Sequence, residues 1–158
     1  MTNNTGSDEE LVEFLAELEK QLETPVVPGE MYDWVERGEK DLNQLSETYA
    51  AHVKSSHESQ YEAIIEQDSE QITRMEKFRE EDASLLEEID RLGEAFAKLK
   101  KLVNAAEEAP QRDEGELEDL LPKVTGEALV LIIRIRMHEN AIDTWYVEAF
   151  QRDRGVAD

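Results

Sequence analysis

At 158 residues with 39% hydrophobic side chains, the chain suits one domain built around a single core. Against 17 Lys and Arg stand 39 Asp and Glu, a net charge of −22, so the surface repels phosphate backbones and anionic membranes and excludes nucleic acid as a direct partner. Cysteine is absent, which removes disulfides, thiolate metal sites and cysteine nucleophiles.

Residues 1–10 are polar and acidic, without the basic start and apolar stretch of a secretory signal, and the expected compartment is the cytoplasm. Glycine and proline are scarce while Glu, Leu, Ala, Lys and Gln dominate, so the predicted class is all-α, an up-down helical bundle. Ser7 with Glu10 forms a capping-box pair, and Leu11, Phe14, Leu15, Leu18 and Leu22 follow at helical spacing, predicting a short first helix over residues 8–23. Pro25 and Pro28 then break the pattern. Residues 1–28 are therefore read as a tail, a short amphipathic helix and a Pro-rich linker packing on a bundle formed by residues 29–158.

From Glu30, a second helix carries Met31, Val35, Leu42, Leu45, Tyr49, His52 and Ser56 on one stripe. Its end falls somewhere in 57–69, where Asp68-Ser69 resembles a helix start. A third helix shows Ile72, Met75, Phe78, Asp82, Leu85, Ile89, Leu92, Phe96, Leu99 and Val103 on its stripe and ends by Pro110. The last stripe runs through Leu117, Leu121, Val124, Ala128, Leu131, Ile135, His138, Ile142 and Trp145, with a kink or a late start expected at Pro122 and an end near Arg154-Gly155. Residues 128–133 are all apolar, too short a run to span a bilayer but demanding burial on more than one face, by the first helix or by a second subunit; the first helix is favoured.

His52, Asp82 and His138 break the apolar rule most sharply. The midpoint of 52 and 82 is 67, beside the proposed turn, and that of 82 and 138 is 110. Antiparallel neighbours equidistant from a turn lie at the same height, since each residue rises about 1.5 Å. The three side chains are thus expected in one layer. Two readings follow. Two imidazoles and a carboxylate could hold iron, zinc or manganese, with Asp143 adding an oxygen. Alternatively, Arg134 could reach Asp82 in a polar layer without metal. His57 is expected to be exposed, and the tryptophans and tyrosines to pack in the core and at its rim. No Ser–His–Asp arrangement, glycine-rich phosphate loop or zinc signature is present, so an enzyme is not expected.

Over residues 31–158 the order Trp34, His52, Tyr61, Asp82-x-x-Leu85-Leu86, His138-Glu139 and the ending Glu148-Ala149-Phe150-Gln151-Arg152-Asp153 resembles the hemerythrin-like (HHE, cation-binding) family of four-helix bundles. The resemblance implies a four-helix bundle holding a non-haem di-iron centre that senses, stores or carries oxygen, nitric oxide or iron. His52 and the His138-x4-Asp143 spacing match the family pattern; Ser56 stands where a carboxylate is expected and Asp82 where histidine is usual. The first helix supplies no histidine and is expected to be too short to reach the layer. The expectation is a hemerythrin-like bundle with a degenerate site at His52, Asp82, His138 and Asp143, without cofactor, acting as a binding or regulatory module. The alternatives are an iron or other metal-binding protein, or an acidic helical adaptor for a basic protein partner that dimerises through the 128–133 patch.

Overall fold

The computed structural model describes residues 4–109 and 115–157, and their side chains from 8 to 151. Helix α1 spans Asn4–Glu23, and α2 spans Met31–His52 and passes into a π-helical segment, Val53–His57, that continues as α3, Glu58–Gln67. After a 3₁₀ turn at Ser69–Gln71 come α4, Ile72–Glu108, and α5, Gly115–Ala157. The rod formed by α2, the π segment and α3 lies beside α4 and α5, which also pack on each other, and α1 lies on α2 and α5. The molecule is an all-α up-down bundle of three long rods and a shorter N-terminal helix, with no strand among the described residues.

The turns follow local chemistry. Between α1 and α2, Glu30 N–H donates to the Val27 carbonyl at 2.9 Å, with Pro28 and Gly29 at the corners and Gly29 at φ 90°. Proline presets the first corner, and only glycine takes positive φ at the second without strain, which makes this a type II turn. Trp34 Nε1 donates to the Thr24 carbonyl at 3.1 Å and ties the linker to α2. Between α3 and α4, Asp68 accepts from Glu70 N–H at 3.1 Å, so the Asp68-Ser69 start signal marks the turn.

Several boundaries differ from expectation. Helix α1 begins at Asn4, so Ser7 lies inside it and does not mark its start. Helix α5 runs through Pro122 and past Gly155 to Ala157; the proline at its eighth position costs the one hydrogen bond to the Glu118 carbonyl and does not end the helix. The turn expected at Pro110 lies outside the described residues. Ile72 is exposed, as are Thr73 and Arg74 after it, and burial on α4 begins at Met75. The apolar run on α5 divides by face: Ala128, Leu131 and Ile132 are buried, whereas Val130 and Ile133 are exposed. Contact between α1 and α5 covers part of that helix and leaves these two residues in water.

The buried apolar residues form two clusters. The larger joins α1, α2, α4 and the first half of α5 through residues such as Leu15, Val35, Leu42, Leu45, Phe96 and Ile135. The smaller contains Tyr61, Ile64, Met75, Ile142 and Ala149. Five buried polar residues, His52, Ser56, His57, Asp82 and His138, stand between them in sequence and space. No described helix is long and apolar enough to cross a membrane.

Candidate metal centre

The layer is built around a change of helical pitch. In a regular α-helix, residues five apart point about 140° away from each other, so His52 and His57 could not both face the core. The π segment inserts an extra residue in the turn. As a result His52, Ser56 and His57 are all buried, while Lys54 and Ser55 face out. The expectation that His57 is exposed is therefore corrected: it is the most central group of the layer, with ring centroids 4.7 Å from His52, 5.6 Å from His138 and 5.9 Å from both Tyr49 and Tyr61.

His57 uses both ring nitrogens. Its Nδ1 lies 2.8 Å from Asp82 Oδ1 on α4, and its Nε2 makes a very short contact with Glu139 Oε1 on α5. Glu139 Oε2 lies 2.9 Å from His52 Nε2, and His52 Nδ1 is 3.4 Å from Asp8 Oδ1 on α1. Asp82 Oδ1 also lies 2.8 Å from His138 Nε2 and accepts from Tyr49 Oη at 3.3 Å, and its Oδ2 accepts from Tyr61 Oη at 2.8 Å. Carboxylates and imidazoles thus alternate along one chain of contacts, Asp8, His52, Glu139, His57, Asp82 and His138, drawn from every rod of the bundle.

Electrostatics follow from this alternation. Burial alone would push the Asp82 carboxyl up, but hydrogen bonds from His138 and His57, the His57 charge and the Tyr61 hydroxyl outweigh it and hold the group at about 2. Burial would likewise raise Glu139, yet its bonds to His52 and His57 bring it down to about 2. Burial disfavours charge on His57, whereas its bonds to Asp82 and Glu139 and their negative charges raise it to about 9. Burial, followed by the charge of Asp82, raises both Tyr49 and Tyr61, so both phenols stay protonated and donate.

Of the residues singled out from the sequence, His52, Asp82 and His138 do share a layer, joined through His57 and Glu139 and not by direct contact of all three. Asp143 stands apart on the surface of α5, accepting from Gln60 Nε2 at 3.2 Å, and burial raises its carboxyl. Two expectations fail. Arg134 does not reach Asp82; it pairs with Glu81 at 2.9 Å, because its side chain leaves the core on the α4 side. Helix α1 is not too short to reach the layer: its Asp8 lies 3.4 Å from His52 Nδ1 and accepts from Ser56 Oγ at 3.2 Å. His57 and Glu139 were missed because both lie off an ideal 3.6-residue stripe. The one sequence signal for His57 is its five-residue spacing from another histidine in a stretch without Gly or Pro.

Two sets of donors lie close enough to share an ion: His52, His57 and Glu139, and His57, Asp82 and His138. Each set has two imidazoles and one carboxylate, a composition suited to iron, zinc, manganese or cobalt. The chain has three histidines in all, so the roughly five required by the hemerythrin-like di-iron ligand set are not present, whereas a smaller centre fits the donors at hand. No family model matches the chain, and neither does any curated protein or solved structure.

Proposed function

We propose that this chain is a binding protein, not an enzyme, that holds a divalent transition-metal ion in the His57-centred layer, a reduced non-haem site in a hemerythrin-like bundle. The observation that carries this reading is the π-helical segment, a rare geometry concentrated at functional sites, whose effect here is to bring a second imidazole inward beside the first. His52, His57, Asp82, His138 and Glu139 are the donors available. A bound ion would supply Lewis acidity and, for iron, access to two oxidation states. The protein's part is to bind it, keep the imidazoles oriented through carboxylates and tyrosine hydroxyls, and exclude bulk water. A divalent cation would balance Asp82 and Glu139 together and let His57 act as a neutral donor.

A second reading rests on one further observation: the alternating carboxylates and imidazoles satisfy one another without an ion, and none of the layer's buried side-chain atoms among the described residues lacks a hydrogen-bond partner. On that reading the layer is the remnant of a metal site in a binding or regulatory module, or in an acidic adaptor for a basic partner. The arginine that such a metal-free core was expected to offer Asp82 is engaged with Glu81 instead, which favours the metal. Elemental analysis of protein purified without chelator or affinity-tag metal separates the two. About one transition-metal ion per chain is expected; a folded protein with none would leave the module reading standing and remove the metal.

A further inference from the structure

The two donor sets share His57 but are not equivalent, and their differences point to one of them. In the set of His52, His57 and Glu139, both imidazoles turn the same atom, Nε2, toward the two oxygens of one carboxylate. Both turn Nδ1 away onto a further carboxylate, His57 to Asp82 at 2.8 Å and His52 to Asp8 at 3.4 Å. A metal-bound histidine ordinarily gives its other N–H to a carboxylate, which fixes the tautomer and raises the basicity of the ligating nitrogen. His57 shows this arrangement as a hydrogen bond to Asp82, and at His52 the Asp8 carboxylate stands on the corresponding side at ion-pair distance. Around Asp82 the geometry is different: His57 Nδ1, His138 Nε2 and Tyr49 Oη all crowd onto the single oxygen Oδ1, and Tyr61 occupies Oδ2. Those tyrosine hydroxyls suit an acceptor that stays a carboxylate behind a histidine.

Access differs in the same sense. The Asp82 side chain is 4% exposed and that of Glu139 is 22% exposed. Glu139 opens onto a groove of about 310 Å³ between α1 and α5, whose wall also carries Asp8, Asp143 and Arg136. The groove gives an ion a route in from solvent past two further carboxylates.

Resting on the metal-binding reading above, we propose that the chain binds a single divalent ion through His52 Nε2, His57 Nε2 and Glu139. Asp8 and Asp82 orient the two imidazoles from behind, and His138 anchors Asp82 without touching the ion. Three protein donors do not fill the coordination sphere of zinc, iron, manganese or cobalt, so the side facing the groove remains for water or a small anion. This assigns α1 a part in the site: Asp8 reaches His52 from the helix that also walls the groove.

The test begins with the unaltered protein loaded with Zn(II), read by long-range ¹H–¹⁵N NMR of its three imidazoles. His52 and His57 are expected to be ligated through Nε2 with a proton on Nδ1, and His138 to be unligated. Ligation of His138, or of His57 through Nδ1, overturns the assignment. Variants give the second readout. With Co(II) or Zn(II), His52→Ala should lose the ion, His138→Ala should keep one per chain, and Asp82→Asn should keep one with affinity about 10–100-fold weaker. Loss in His138→Ala with retention in His52→Ala moves the ion to Asp82, and two ions per chain refute a single seat. An unaltered chain that takes up no ion overturns the metal-binding reading itself, an outcome distinct from ligation at the wrong set.

Discussion

The apolar half of the bundle and the polar layer solve the same packing problem by opposite means. In the larger cluster, helical periodicity alone suffices: Val35, Leu42, Leu45 and Tyr49 on α2 meet Leu85, Ile89, Leu92 and Phe96 on α4, and ordinary α-helix keeps them in register. Gly38 is needed there because a Cβ at that position would come within 2.7 Å of Phe96 Cδ1. In the polar layer the same rod departs from α-helix, and buried and half-buried imidazoles and carboxylates are held by reciprocal hydrogen bonds. Packing tolerates a regular helix; bringing two histidines five residues apart onto one face does not.

That contrast can be broken most forcefully at His57. In metal-free protein, His57→Ala leaves Asp82 and Glu139 buried without their shared imidazole, and urea unfolding should show a loss of about 3–5 kcal/mol. Leu45→Ala, a fully buried residue in the apolar half, should cost about 2–5 kcal/mol through its cavity alone. The two differ in their pH dependence. Because His57 is raised to about 9, its stabilisation is complete below about pH 6.5 and fades as pH climbs through 9. Asp82 and Glu139, lowered to about 2, stabilise the fold above their ordinary range near 4 and lose that contribution as pH falls through 2. Metal-free wild type should therefore be most stable between these windows, the Leu45→Ala loss should be nearly constant across them, and the His57→Ala loss should shrink at high pH.

Single substitutions also sharpen the boundary of the core. Gly38→Ala forces the Phe96 ring to move and should cost about 1–3 kcal/mol in thermal or urea unfolding. On α5, Ile132 is 0% and Ile133 53% exposed, so Ile132→Ala should cost about 2–5 kcal/mol while Ile133→Ser stays within about 0.5 kcal/mol.

What could be read from the sequence follows the same division. The stripes of α2, α4 and α5 named most of the buried apolar residues, because core burial and helical period are one signal, but left out Trp34, Tyr61, Ile64, Ile132 and Ala149. The height argument brought His52, Asp82 and His138 to a common layer, since the turn at Asp68 is near the midpoint it required. Periodicity could not reveal His57, because a local change of helical type moves a side chain by roughly a quarter of a turn without a mark in composition. Glu139 was hidden for a related reason: it lies beside the stripe and enters the layer through the length of its side chain. Asp8 lay within the expected first helix, but periodicity alone does not tell how far along the bundle a helix packs.

The proposed metal site is centred on His57, and its first test is a titration of chelator-stripped protein with Co(II) or Zn(II), in wild type and in His57→Ala. Saturation at about one ion per chain in wild type, absent in a His57→Ala variant that is still helical by circular dichroism, is the predicted result. Equal uptake by both proteins, or none by a folded wild type, would contradict it.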